Sequence, residues 1–194
     1  DAGVHCLSLG LESYSQPVLK SMKKHTTSQQ IDRTLKIARK SEVAITGNFI
    51  FGDRAETVET AKETLDYWKD SHDLFGSSIA LGFIQPYPGT ALYKHCITKD
   101  LISDEIDFLE KRLLVPINMS ETMTNKEFEQ LKIDIHRAYI LFEKKDSVSP
   151  SKIKRIGDLY EVHVTCPYCR RGSVYRNYPP PTEAEGRRHI YCRN

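Results

Sequence analysis

Three apolar segments of the chain end in polar residues of types that often bind ligands. The segments end at Gly10-Leu11-Glu12-Ser13, at Gly52-Asp53-Arg54-Ala55-Glu56-Thr57 and at Gln85-Pro86-Tyr87-Pro88-Gly89-Thr90. Glycine lets a ligand approach the backbone closely, a carboxylate accepts hydrogen bonds from hydroxyl and ammonium groups, and the first turn of a helix offers unpaired N–H donors. Together these groups suit a nucleoside with a charged tail. Each motif alone is weak, because a glycine at a strand end is more often part of a turn.

Cysteines near the end of the sequence form a second candidate site. The chain has five cysteines, an odd number, and three of them lie in the last 30 residues. A disulfide framework is therefore not expected. Cys166 and Cys169 have C-x2-C spacing, and Cys192 follows a short predicted strand at residues 188–191. Because cysteines on two facing turns make the tetrahedral cage of a structural zinc ribbon, we predict that these three residues bind zinc.

The fourth zinc ligand is ambiguous. A second C-x2-C knuckle would need a cysteine after Asn194, and we expect that the chain stops before it. His189 is the alternative within the chain, although it lies on the strand that leads into the knuckle. Two other interpretations stay open: a glutaredoxin-like redox pair, which requires a surrounding βαβ unit, and ordinary reduced thiols.

The elements that must position the first three motifs alternate between strand and helix. We predict strands at residues 4–9, 44–51 and 78–84, with helices between them and a further helix capped by Thr90. Such alternation demands parallel strands joined by right-handed crossovers, which places the helices outside the sheet. We therefore predict an α/β fold that forms half of a TIM-type barrel. In such barrels the working residues lie at the C-terminal ends of the strands, where the three motifs stand.

Apolar residues at helical spacing predict which helix faces are buried. The helix after Thr26 or Thr27 should bury Ile31, Leu35, Ile37 and Ala38. The helix at residues 56–69 should bury Val58, Ala61, Leu65 and Trp68. A long helix that Thr124 caps, ending near residue 144, should bury Phe128, Leu131, Ile135, Tyr139 and Phe142.

A polar, proline-containing segment divides the chain. We predict a half-barrel with its closing helices at residues 1–145, a linker at 146–151 and a zinc-ribbon-like tail at 152–194. The tail has nine Lys and Arg against four Asp and Glu, a net charge of +5, whereas the whole chain has +2.

The arginines of the tail alternate with tyrosines. This composition could bind nucleic acid through phosphates and stacking, although charge runs are more often solvated. No apolar segment approaches the roughly 20 residues that cross a bilayer, and we expect no membrane partner and a cytoplasmic location. The interleaved residues are Arg170, Arg171, Arg176, Arg187, Arg188 and Arg193 with Tyr168, Tyr175, Tyr178 and Tyr191.

The three motifs together resemble radical S-adenosylmethionine enzymes. Residues 9–30 read LGLESYSQPVLKSMKKHTTSQQ and resemble the fourth barrel strand of that family with the helices after it. Residues 47–52 with Glu56-Thr57 are similar to the fifth strand and its loop, and residues 85–93 are similar to the end of the sixth. The resemblance covers residues 4–93 and is closest to the branch that often has a cobalamin-binding domain upstream.

The resemblance implies roles for residues at the strand ends. Glu12 and Ser13, beside Gly10, would contact the amino acid or ribose part of S-adenosylmethionine. Ile50, Gly52 and Gln85 would line its adenine. The family's loop usually reads Gly-x-Pro-Gly-Glu-Thr, so residues 52–57 depart from it by two added charges. The Arg54 side chain would then either contact the substrate or be solvated.

The resemblance also implies a [4Fe-4S] cluster, whose ligands are absent from this sequence. The family's C-x3-C-x2-C triad holds three irons of that cluster, and no such triad occurs here. We expect that an N-terminal half of the same protein provides it, and that the chain alone does not cleave S-adenosylmethionine to a deoxyadenosyl radical. The parent enzyme would use that radical on a substrate that the sequence does not identify. The alternative is a non-catalytic adaptor whose basic zinc ribbon binds nucleic acid or a protein.

Overall fold

A computed structural model describes residues 6–41, 44–75, 79–146, 148–166 and 170–178. Its first part is a parallel sheet of three strands, β1 (Cys6–Glu12), β2 (Ala44–Phe51) and β3 (Ile79–Phe83), in the order β1-β2-β3. Helices α1 (Gln16–Ser21) and α2 (Ser28–Lys40) connect β1 to β2, and α3 (Val58–Asp70) and α4 (His72–Phe75) connect β2 to β3. The predicted α/β alternation is confirmed.

Four further helical segments and a second sheet follow β3. Helix α5 (Ala91–Thr98) precedes α6 (Glu105–Asp107), which continues into a π-helical turn (Phe108–Arg112), and then comes the long α7 (Asn125–Asp146). The second sheet is antiparallel and consists of β4 (Lys152–Ile156), β5 (Leu159–Thr165) and β6 (Gly172–Tyr178). Within the described ranges, no helix is both long and apolar enough to span a bilayer.

Side-chain caps fix where the helices begin. The Thr27 hydroxyl accepts a hydrogen bond from the backbone of Gln30, whose side chain accepts one from Thr27, and Thr57 and Thr60 form the same reciprocal box at α3. Thr27, of the two predicted candidates, is thus the cap of α2. The predicted start of the next helix at residue 56 is wrong, because Thr57 caps α3 and leaves Glu56 in the preceding loop.

The main core lies between the parallel sheet and the helices. Phe49 and Phe51 of β2 are fully buried in the same core cluster as Trp68 of α3 and Phe128 of α7. Three of the predicted inward positions are wrong: Ile37 is 56% exposed, Val58 is 42% exposed and Tyr139 is 36% exposed. Ile37 stands two residues after buried Leu35, which places it on the far side of α2, and Val58 is the first residue of α3.

The two edges of the parallel sheet differ. At β3, the Trp68 indole N–H donates to the Ile79 carbonyl at 2.8 Å. The Tyr139 hydroxyl donates to the Leu81 carbonyl at 2.7 Å and accepts from the Leu81 N–H. At β1 the first three residues of the strand are exposed, Leu7 at 48%. Side chains therefore close the β3 edge, whereas β1 offers an edge on which the sheet could be extended.

Replacing Tyr139 with phenylalanine is expected to destabilise the protein by roughly 1–3 kcal/mol, because the Leu81 N–H and carbonyl would lose their partner. Urea unfolding followed by circular dichroism measures this change. The control is Tyr87→Phe, since the Tyr87 side chain is half exposed. Equal unfolding midpoints for the two variants would contradict the closure of the β3 edge by Tyr139.

Candidate functional site

The end of β1 holds an ion pair. Glu12 closes the strand in the left-handed region, with φ +62°, where the pairing with β2 shifts by one residue. Its carboxylate Oε1 lies 2.8 Å from Lys24 Nζ, in the turn between α1 and α2. The Glu12 side chain is 15% exposed and that of Lys24 is 39% exposed. A paired carboxylate and ammonium group thus stand together at the C-terminal end of the sheet.

Gly10 makes room for this ion pair. A Cβ atom at residue 10 would lie 2.8 Å from Glu12 Oε1 and 3.2 Å from Lys24 Nζ. Since the first distance is shorter than real Cβ contacts, a side chain at residue 10 would displace the ends of the Glu12 and Lys24 side chains from these positions. Gly10 and Glu12 were predicted from the sequence, but Lys24 was not. The sequence feature that could have indicated Lys24 is a cation shortly after α1, the helix that follows β1.

Ser13 is fully buried, and its hydroxyl has partners within the protein. Its Oγ lies 3.0 Å from the Thr64 hydroxyl of α3 and accepts from the Ser15 N–H at 3.1 Å. Thr64 also accepts from the Tyr14 N–H at 3.1 Å. These bonds join the start of α1 to α3, so Ser13 supports the backbone beside Glu12. Its predicted contact with a ligand stays a prediction.

The end of β2 contains a buried carboxyl group. Gly52 has φ +97°, and its N–H donates to Glu56 Oε2 at 2.5 Å. Glu56 is fully buried, and its other oxygen, Oε1, has no hydrogen-bond partner within the described part of the chain. The adjacent Asp53 is also buried and accepts from the Ala55 N–H at 2.9 Å.

Burial raises the pKa of Glu56 from its ordinary 4.5 to about 8. The Gly52 N–H opposes this rise by favouring the ionised form, and the charge of Asp53 adds to it. At neutral pH the carboxyl group is therefore mostly protonated. Glu56 belongs to the motif at residues 52–57 identified from the sequence, but the sequence assigned its side chain no role.

A distant segment fixes the loop after β2. The Ser120 hydroxyl donates to the Glu56 carbonyl at 2.6 Å, and the Thr122 hydroxyl donates to the same oxygen at 3.2 Å. The Glu121 N–H donates to the Arg54 carbonyl at 2.9 Å. These bonds hold residues 52–57 in place without the proline and glycine of the related family. The Arg54 side chain is exposed.

The end of β3 brings Gln85 to the same edge of the sheet. Pairing with β2 continues past the strand, because the Ile84 N–H donates to the Phe51 carbonyl at 2.9 Å. The side-chain oxygen of Gln85 is buried and, among the described residues, has no hydrogen-bond partner. A buried acceptor without a partner is costly, so this oxygen is suited to a donor from a ligand.

One face of the parallel sheet is outside the main core. Alternate residues Phe49, Phe51 and Leu81 point into the core. The residues between them point to the opposite face and are small or polar, apart from Ile50. All are exposed or half-buried: Ser8, Gly10, Asn48, Ile50, Ala80 and Gly82. We call this the open face; the predicted site residues Gly10 and Ile50 belong to it, with Glu12, Gly52 and Gln85 at its C-terminal end.

Only one of the predicted zinc ligands lies in the described residues. Cys166 is half-buried and has a free thiol. Its N–H donates to the Arg171 carbonyl at 3.0 Å, and the Arg170 N–H donates to the Cys166 carbonyl at 3.0 Å, so these bonds link the end of β5 to the start of β6. Cys169, His189 and Cys192 lie outside the described residues. Among those that are described, no group of three His, Cys, Asp or Glu could hold a metal ion.

No protein-family model matches the chain. It is 28% identical over 164 residues to an uncharacterized methyltransferase of Pyrococcus horikoshii, a match that covers 84% of this chain and 33% of the relative. It is 33% identical over 107 residues to a bacteriochlorophyllide d C-8(2)-methyltransferase of Chlorobaculum tepidum, covering 54% of this chain and 23% of the relative. It is 25% identical over 140 residues to an anaerobic magnesium-protoporphyrin IX monomethyl ester cyclase of Rubrivivax gelatinosus, covering 72% and 24%.

Among solved structures, the chain is similar to Elp3 of the archaeon Methanocaldococcus infernus with an N-terminal deletion. The TM-score is 0.44 at 10% identity, covering 84% of this chain and 48% of that chain. We draw no conclusion about fold or function from a similarity with a TM-score this low. The chain spans a third or less of the length of its curated relatives. Those relatives are enzymes, two of them methyltransferases, and at low identity they support a family related to the radical S-adenosylmethionine enzymes.

Proposed function

We propose that this chain is the part of a radical S-adenosylmethionine enzyme that binds the nucleoside and amino acid portions of S-adenosylmethionine at the ends of three barrel strands. The observation that carries the proposal is the Glu12–Lys24 ion pair, which lies at the C-terminal end of the sheet beside Gly10. The carboxylate suits the α-ammonium group of the ligand, and the lysine suits its α-carboxylate.

The open face supports a barrel rather than a sheet with helices on both sides. Parallel sheets are normally covered on both faces, by helices in open sheets and by packed barrel side chains in closed ones. Here the core lies on one face only, and the other presents small and polar residues. In the proposed barrel this face would be the interior, where a ligand fits against Gly10, Ile50 and Gly82.

The adenine would lie beyond the ion pair, along the ends of β2 and β3. Ile50 offers an apolar contact, the positive φ of Gly52 turns the backbone away from the strand, and the buried oxygen of Gln85 can accept from an exocyclic amine. The residues present therefore fit S-adenosylmethionine. No residues of this sequence fit the [4Fe-4S] cluster, since the chain has no C-x3-C-x2-C triad. The cluster, and the cobalamin of the related branch, would belong to other parts of the parent enzyme.

Isothermal titration of the chain with S-adenosylmethionine tests this function. We expect measurable binding that Glu12→Gln weakens about tenfold to a hundredfold, because a hydrogen bond to a charged group contributes about 1.5–3 kcal/mol. Glu110→Gln, at an exposed position away from the sheet, is the matched control and should leave the affinity unchanged. Loss of binding in both variants, or in neither, would contradict the assignment of Glu12, and an absence of heat with the unmutated chain would contradict the function.

We also propose zinc in the tail, with Cys166, Cys169 and Cys192 as ligands and His189 as the candidate fourth. The hydrogen bonds of Cys166 with Arg170 and Arg171 support this proposal, because the chain reverses direction between β5 and β6 where the C-x2-C motif stands. Purified protein should contain about one zinc ion per chain by mass spectrometry, and Cys166→Ser should lose it while the exposed-cysteine control Cys6→Ser keeps it. If the purified protein contains no zinc and a chelator does not change the proteolysis of the tail, the proposal is wrong and these cysteines are ordinary thiols.

A further inference from the structure

The second sheet has two faces of different chemistry. Residues that pair across β4, β5 and β6 point to the same side, so the registers assign each side chain to a face. One face has the rows Ile153-Val162-Tyr175 and Arg155-Tyr160-Tyr178. The other, which we call the basic face, has Lys152, Lys154, Arg176, His163 and Glu161, together with the apolar residues Val174, Ile156 and Leu159.

Along β5 and β6 the two faces differ in exposure, whereas every residue of β4 is exposed, including Ile153 and Arg155 of the first face. Val162 and Val164 are 6% exposed, and the tyrosines on their side are half-buried. On the basic face, Lys152, Lys154 and Arg176 are exposed, and Val174 is 43% exposed. The arginines and tyrosines that alternate in the sequence therefore do not form one surface. Arg176 lies on the basic face, and Tyr175 and Tyr178 lie on the opposite face.

The single acidic side chain among the described residues of the basic face is already neutralised. Glu161 lies opposite Lys154 in the β4–β5 pair, but its oxygens bind His163 Nε2 at 3.0 Å and Arg176 Nε at 3.3 Å. These two partners also hold the pKa of Glu161 below its ordinary value. Among the described residues, Lys152 and Lys154 have no carboxylate within ion-pair distance. Their charges are available to an external anion.

The cations of this face are regularly spaced. Lys152 and Lys154 are two residues apart on one strand, about 7 Å, and Arg176 lies two strands away from Lys154, about 10 Å. A polymer with evenly repeated negative charges can meet several of these groups at once. A single small anion would meet only one or two.

We propose that the basic face binds the phosphodiester backbone of nucleic acid. The contacts would be ionic and independent of base sequence, because the tyrosines that could stack on bases lie mainly on the opposite face. This site is separate from the proposed S-adenosylmethionine site and does not depend on it. The basic face would allow the parent enzyme to bind a polyanion in addition to S-adenosylmethionine.

Fluorescence anisotropy with a labelled short RNA, and with DNA of the same sequence, tests this proposal across a series of potassium chloride concentrations. The full chain should bind, and the affinity should fall as salt rises. The variant Lys152→Gln, Lys154→Gln, Arg176→Gln should bind at least about tenfold more weakly at low salt. Because single strands release about 0.7 counterion per neutralised phosphate and Arg176 is already paired with Glu161, loss of the two unpaired lysines should make its log–log salt slope smaller by about 1.4.

The control variant, Lys62→Gln, Lys111→Gln, Lys132→Gln, removes the same charge from helices and should bind like the unmutated chain. If the triple variant does not fold, Lys154→Gln alone, at an exposed position, can replace it and should also bind more weakly than the unmutated chain. Equal binding by the control and basic-face variants would overturn the proposal, as would absence of binding to either nucleic acid. Tighter binding to polyglutamate than to RNA or DNA would overturn it in favour of an acidic protein partner.

Discussion

Replacing Gly47 with alanine is expected to destabilise the protein by about 3 kcal/mol or more and to abolish ligand binding at the strand ends. A Cβ atom at residue 47 would lie 2.3 Å from the backbone oxygen of Leu9 in β1 and 3.3 Å from Ile79 in β3. The first neighbour is backbone and cannot rotate away, so β1 would have to separate from β2. Glu12 lies three residues further along β1 and would move with it.

Gly82→Ala is the matched control for this variant. Gly82 is also a sheet glycine, but the nearest atom to its added Cβ is Ile50 Cγ2 at 3.7 Å, an ordinary contact. Its unfolding free energy should change by less than about 1 kcal/mol. Urea unfolding of both variants gives the comparison. Similar midpoints for the two alanine variants would show that β1 and β2 are not as close at Gly47 as we describe.

The second large effect concerns pH. The pKa of Glu56 is about 8 in the folded protein and returns to about its ordinary 4.5 on unfolding. Between these values the folded state binds the extra proton, so the contribution of Glu56 to stability is greatest below about pH 4.5 and falls as pH rises to about 8. The slope is about 1.4 kcal/mol per pH unit, which gives a loss on the order of 4 kcal/mol between about pH 5 and pH 8. Ionising Glu56 also charges the carboxyl group that holds the Gly52 N–H, at the proposed adenine site.

Glu56→Gln should remove this dependence, because glutamine keeps an oxygen for Gly52 but does not ionise. At low pH the variant should be the less stable protein, since its amide N–H groups would be buried without partners, and the two stability curves should converge or cross as pH rises. Chemical unfolding at several pH values measures this. Glu121→Gln, at an exposed position in the adjoining segment, should follow the unmutated protein. Parallel curves for the unmutated protein and Glu56→Gln would contradict a raised Glu56 pKa.

Sequence patterns predicted the parallel sheet well because they report local physics. The apolar segment at residues 44–51 and strand β2 have the same bounds, and the predicted threonines at 27 and 90 cap helices, as local hydrogen bonding dictates. Strands β4 and β6 were missed. Lys152–Ile156 alternates cations with isoleucine, and all five of its residues are exposed, so no buried face marked it as a strand.

Features of the site that depend on distant contacts were beyond sequence reasoning. The Glu12–Lys24 pair depends on how the turn after α1 folds back, and the loop that carries Glu56 is held by hydrogen bonds from Ser120 and Thr122, more than sixty residues away. The closure of the β3 edge depends on Tyr139, which the helical pattern had assigned to the core face of α7. Ser13 was identified, but its bonds to Thr64 became apparent only in the folded chain.

The binding position of S-adenosylmethionine is the most direct test of the proposed function. Amide chemical shifts of the isotope-labelled chain can be followed by nuclear magnetic resonance during titration with S-adenosylmethionine. We predict that the largest shifts fall on Gly10, Glu12 and Gly52 and around Gln85, and that β4, β5 and β6 do not respond. Shifts confined to the second sheet, or none at saturating ligand, would contradict the claim that these strand ends bind S-adenosylmethionine.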